Sequence, residues 1–96
     1  MGELDGVWDV KRVSGALPPL IGVRKEIAGT SGSTKLGPLP GAPFDVVGLS
    51  LRYRGAFRGF VDELEPPPGE VIHGRATFRG REYGKFEMRR VERRGG

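Results

Sequence analysis

A single histidine, a run of carboxylates, a Gly/Ser-rich turn and an arginine-rich strand are the places where this sequence could do chemistry. His73 stands on the polar parity of its segment beside Arg75, where a surface role is expected. Asp62-Glu63, with Glu65 and Glu70 close behind, would suit a hard cation or acid–base work only if the carboxylates converged. Successive strand residues point to opposite faces, so the run reads as a solvated edge and no metal is expected. Gly29-Thr30-Ser31-Gly32-Ser33-Thr34-Lys35 has the look of a phosphate cradle, yet it lacks the Gly-Lys-Ser/Thr ending and no helix follows it. It reads as a hairpin loop. There is no G-x-S-x-G, and His73 has no indicated partner, so a serine triad finds no support. No catalytic residue and no cofactor are expected.

The net charge of +4 is concentrated at one end of the chain: Arg79 to Arg94 holds seven basic residues against Glu82, Glu87 and Glu92. The remaining residues balance. The outward parity there, Tyr83, Lys85, Glu87 and Arg89, offers nucleic acid one aromatic and a patch broken by Glu87. A small-barrel nucleic-acid binder is therefore an alternative and not the leading reading. The absence of Cys excludes disulfide, iron–sulfur, thiolate-zinc and cysteine-nucleophile chemistry. No apolar run approaches a membrane span and Met1-Gly2-Glu3-Leu4-Asp5 is acidic, so a cytoplasmic chain with no membrane partner is expected.

Seventeen Gly and eight Pro in 96 residues leave Lys85 to Arg94 as the longest uninterrupted stretch, too little for a helical bundle. Strands fit instead. Alternation marks Leu4–Val13, Val23–Ala28, Thr34–Leu36, Phe44–Arg54, Phe57–Glu65, Glu70–Arg79 and Glu82–Val91, with a tight turn placed at Gly80-Arg81. Ser14 to Gly22 is an apolar, proline-bearing loop expected to cover one end; Gly37 to Pro43 is a second irregular crossing, and the tail from Glu92 reads as frayed. The expectation is one all-β domain over residues 1–96, an antiparallel meander of six to seven strands forming a small barrel or half-barrel. Glycines 48, 59, 74 and 84 would supply its curvature.

The first strand carries Gly6-Val7-Trp8, a G-x-W, and the last carries Arg89-Arg90. In this arrangement the sequence resembles the calycin superfamily, the lipocalin, fatty-acid-binding and nitrobindin-like barrels. The resemblance implies that Trp8 packs at a closed barrel end and that Arg90, on the parity of Phe86 and Met88, lies across its indole. A guanidinium on an indole face contributes about 0.5 to 2 kcal/mol. It likens Leu17-Pro18-Pro19-Leu20 to the loop covering one end. Haem ligation by His73, by analogy with nitrobindin-like proteins, would need a pocket-facing side chain, and the alternation points it the other way.

Eight strands of about ten residues need more chain than this. The choices are a smaller filled barrel, or a half-barrel that dimerises through open edges and so restores a cavity. The inward set is Trp8, Val10, Val47, Leu49, Leu51, Tyr53, Phe60, Ile72, Ala76, Phe78, Phe86 and Met88, with Gly74, Ala76 and Gly84 leaving room. The leading expectation is a non-catalytic homodimeric module for a small hydrophobic or amphipathic ligand, touched by Trp8, Arg12, Tyr53, Phe60, Phe78, Phe86 and Met88, with Tyr53 or Arg12 as polar anchor. A barrel isomerase or cyclase is a third reading, without a nameable acid–base pair.

Overall fold

Glycine and proline recur every few residues and keep the strands short, and short strands let a small chain make many of them. The computed structural model describes residues 2–17, 20, 22–39 and 41–93. Eight antiparallel strands follow in order: β1 (Gly6–Gly15), β2 (Val23–Ala28), β3 (Ser31–Leu36), β4 (Ala42–Val47), β5 (Ser50–Tyr53), β6 (Phe60–Leu64), β7 (Val71–Phe78) and β8 (Arg81–Glu92). One 3-10 turn, Gly55–Phe57, lies between β5 and β6. Every strand pairs with its sequence neighbours, and β8 returns to pair with β1. The all-β meander is thus a closed barrel.

The strand count exceeds the expected six to seven because Phe44–Arg54 is a hairpin and not one strand. Gly48, at φ 63°, turns the chain so that Val47 pairs with Ser50 and Phe44 with Tyr53. The reversal resets the alternation: Phe44 and Leu51 are fully buried, whereas Val47, assigned to the inward face, is 53% exposed. Closure also removes the half-barrel. No unpaired strand edge is left for a second copy to extend, so edge pairing no longer motivates a dimer.

Curvature comes from three register slips. Val91 and Val13 are extra residues in the β1–β8 ladder, and Tyr83 is the extra residue between β7 and β8. Val7 is buried together with Trp8, its neighbour in the chain, at the first slip. Past the third slip Thr77 is buried, its Oγ1 donating to the Val61 carbonyl at 2.7 Å, and Phe78, the last residue of β7, is 39% exposed at the rim. Phe78, expected in the ligand site, instead rests on Phe60 at 4.5 Å between ring centroids. The β7–β8 turn is Arg79-Gly80, both at positive φ, because Phe78 pairs with Arg81; it lies one residue before the expected Gly80-Arg81.

An up-and-down ring sorts its connections into two ends. The β2–β3, β4–β5 and β6–β7 turns share an end with the chain termini. There Trp8 is fully buried and donates Nε1–H to the Leu4 carbonyl at 2.9 Å. The Arg90 guanidinium lies 4.4 Å from the indole centroid, donates to Glu70 at 2.5 Å, and also reaches the Glu3 carbonyl. This end is shut. Met88 is fully buried in the core cluster with Trp8, Ile27 and Ile72.

The first and last strands cross so closely that only glycine fits. A Cβ on Gly15, at φ +89°, would lie 2.5 Å from the Gly84 Cα and 2.7 Å from the Tyr83 carbonyl oxygen. Both obstacles are backbone. Gly15→Ala is expected to cost about 1 to 3 kcal/mol, from left-handed strain plus overpacking, read as a lower urea midpoint at unchanged m-value.

Candidate functional site

The opposite end carries the β1–β2, β3–β4, β5–β6 and β7–β8 connections. Beneath them lies a cavity of about 290 Å³. Val10, Val23, Ala42, Phe60, Ala76 and Phe86 make its apolar wall, and Leu17, Leu20, Phe57 and Tyr83 stand around its mouth. The apolar loop after β1 does face this space through Leu17 and Leu20, while Pro18, Pro19 and Ile21 lie outside the described residues. Gly84 makes that seating possible, since a Cβ there would lie 2.6 Å from Leu17 Cγ.

The wall includes two opposite charges. Lys25 stands on β2 between Val23 and Ile27, and Asp62 stands on β6 between Phe60 and Leu64. Strand periodicity turns both inward with their apolar neighbours, to 3% and 7% exposure. Lys25 Nζ meets Asp62 Oδ2 at 2.8 Å, Thr34 Oγ1 at 2.7 Å and the Tyr53 hydroxyl at 2.7 Å. An ammonium has three N–H groups, and all three are engaged. Tyr53 donates to Asp62 Oδ2 at 3.0 Å and lies 2.5 Å from Thr34 Oγ1. Proton counting therefore makes Thr34 the donor to Tyr53. Asp62 Oδ1 receives no hydrogen bond from the described residues, and Asp62 lines the cavity.

Burial, the largest influence on Lys25, draws its proton affinity down, but Asp62 and Tyr53 outweigh it and hold the ammonium above the ordinary lysine range. Burial raises Tyr53 above its usual 10.0, only partly opposed by the Lys25 charge. Tyr83 is also raised, first by burial and then by Asp62. All three groups bind protons more tightly folded than unfolded. Stability contributed by Lys25 is fully present below its unfolded value of 10.5 and is lost as pH climbs through the folded value. The tyrosines act in the same direction from pH 10.0 upward. Since the chain has only these two tyrosines, the native absorbance titration is expected to have its midpoint above pH 10.0 and to move down in urea. A native midpoint at or below the unfolded one would show that the hydroxyls are solvated.

Of the expected ligand residues, Tyr53, Phe60 and Phe86 line the cavity. Trp8 and Met88 are fully buried but do not line it. Arg12 does not line this cavity: it is exposed on β1 and donates to the Gly15 carbonyl at 2.6 Å. Phe78, 39% exposed at the rim, does not line it. His73 lies outside with Nε2 at 3.4 Å from Glu87, so it does not enter the cavity. Asp62 is the principal correction, a buried carboxylate where a solvated edge was expected. The missed residues are Lys25, Thr34 and Asp62. The signal for Lys25 and Asp62 was present as opposite charges, each flanked two residues away on both sides by apolar side chains of an inward parity.

Tyr83, assigned to the outward face in sequence, is swung toward the mouth by its bulge, with its ring 6.1 Å from that of Phe60. Among the described residues no group of three or more His, Cys, Asp or Glu side chains is arranged to hold a metal ion. No helix is long and apolar enough to cross a membrane. Comparison with protein-family models, curated proteins and solved structures finds no match to this chain.

Proposed function

We propose that this barrel is a non-catalytic binding module for a small, neutral, mainly apolar molecule that presents a hydrogen-bond donor to Asp62. The carrying observation is the Lys25–Asp62 pair, whose charges cancel at 2.8 Å within a largely apolar wall. An anionic head group would find no N–H left on Lys25 and a carboxylate beside it. A hydroxyl or amide would find Asp62 Oδ1 without a donor. The volume of about 290 Å³ lies near the low end of ligand pockets, which run from about 300 to 1,000 Å³. The resemblance to calycin barrels, with Trp8 and Arg90 at one end and a cavity at the other, supports the same reading.

Acid–base catalysis has less support. Lys25 holds its proton above the ordinary range, so it is neither base nor nucleophile near neutrality. Its ammonium has no free N–H with which to polarise a substrate.

The test compares fluorescent probes that share one apolar body and end in a hydroxyl, an amide or a carboxylate. The neutral probes are expected to bind at least about tenfold more tightly, a difference of about 1.4 kcal/mol. Ala76→Phe, which fills the wall where Ala76 is 2% exposed, is expected to abolish uptake while far-UV circular dichroism stays that of a β-barrel. Equal uptake by wild type and Ala76→Phe, or preference for the carboxylate, would overturn the proposal.

A further inference from the structure

The two ends of the barrel differ in charge as well as in closure. The described residues among 15–17, 20, 22, 36–39, 41–42, 54–59 and 78–81, which make the open end, include Arg54, Arg58, Arg79 and Arg81 and no Asp or Glu. The closed end carries Glu3, Asp5, Glu65, Glu70 and Glu92 against Arg90 and Arg93. Arg54 pairs with Asp45 at 3.4 Å, but Arg58, Arg79 and Arg81 have no carboxylate partner among the described residues. The nearest acid in sequence, Glu82, is directed to Arg75 at 4.0 Å. Such an arrangement leaves a basic face on one pole.

Large apolar side chains stand among these arginines. Leu39 is 60% exposed, Leu36 48%, Phe57 47% and Phe78 39%. They come from three separate connections that the topology brings to one end. The Phe57, Arg58, Phe78 and Arg79 part is continuous: Arg79 N–H donates to the Gly59 carbonyl at 2.9 Å, and the Arg79 guanidinium sits 5.4 Å over the Phe78 ring. Exposed apolar side chains ringed by unpaired cations match an interface that is hydrocarbon inside and anionic at its surface.

We infer that the open end docks on an anionic lipid surface, with Leu36, Leu39, Phe57 and Phe78 entering the headgroup boundary and Arg58, Arg79 and Arg81 facing lipid phosphates. Leucines favour this partner over nucleic acid, whose bases need planar stacking surfaces. The sequence had suggested no membrane partner because it lacks an apolar span. Peripheral docking needs no span, only a patch, and this patch is assembled from loops far apart in the chain. It stands whether or not the cavity beneath is ever filled.

Cosedimentation of the full chain with vesicles tests it. Vesicles of phosphatidylcholine and phosphatidylglycerol in equal parts are expected to capture the protein at low salt, and pure phosphatidylcholine vesicles are not. Arg58→Glu/Arg81→Glu is expected to weaken capture at least about tenfold, since each surface cation contributes comparably to anionic-membrane affinity. Phe57→Ser/Leu39→Ser is expected to weaken it as well. Lys11→Glu/Arg89→Glu makes the same change of net charge on the barrel wall and is expected to retain most capture. Equal losses in the two charge pairs, no capture by anionic vesicles, or capture only by single-stranded oligonucleotides would overturn the inference. Urea midpoints within experimental error of wild type establish that each variant is folded.

Discussion

Lys25→Met is expected to destabilise the barrel by about 3 to 5 kcal/mol, although a side chain of similar length still fills the space. The cost arises at Asp62. With the ammonium gone, a carboxylate 7% exposed keeps Tyr53 as its only donor among the described residues. Asp62→Ala should cost a similar amount, because it strands an ammonium at 3% exposure with only Thr34 and Tyr53 as hydrogen-bond partners among the described residues. Replacing both, as Lys25→Met/Asp62→Leu, is expected to recover most of the loss or to exceed wild type, since desolvating two ions offsets much of their attraction. A double-mutant cycle in urea gives the coupling directly. Additive losses would mean the pair is solvated, and the ligand proposal built on it would lose its footing.

Trp8→Ala is expected to cost about 3 to 5 kcal/mol, the usual range for removing a buried large aromatic, and to be at the upper end. Its indole does three things at once: it is fully buried, it donates to the Leu4 carbonyl at 2.9 Å, and it supports Arg90 at 4.4 Å. Loss of the ring leaves a guanidinium whose Nε already has no hydrogen-bond partner among the described residues. Trp8→Phe, which keeps an aromatic face but no N–H, should lie between. Arg90→Lys is expected to destabilise too, because a point charge cannot span Glu70, the Glu3 carbonyl and the indole together. Urea unfolding followed by circular dichroism measures the series, since the tryptophan itself is altered. A Trp8→Ala protein with a midpoint near wild type would show that the closed end does not depend on this contact.

The strands β7 and β8 were legible because their alternation is clean: Ile72, Gly74 and Ala76 face in, as do Gly84, Phe86 and Met88. Phe44 to Arg54 misled because a two-residue hairpin resets parity without breaking hydrophobicity, and Gly48 was its only mark. Tyr83 was misplaced for a related reason. One extra residue in β8 brings it toward the mouth, and register between strands is not written in either strand alone.

By itself the chain determined a β-meander, since punctuation this frequent forbids long helices and alternation with a period of two builds half-buried strands. It also determined which apolar residues form most of the core. Only the tertiary structure decided that the ring closes, that Lys25 and Asp62 meet inside it, and that one end is shut while the other gathers arginines and exposed leucines. The physical reason is range. Side-chain alternation is a property of neighbours along one strand, whereas closure, charge pairing and polarity depend on partners separated by tens of residues, whose distances only the assembled sheet sets.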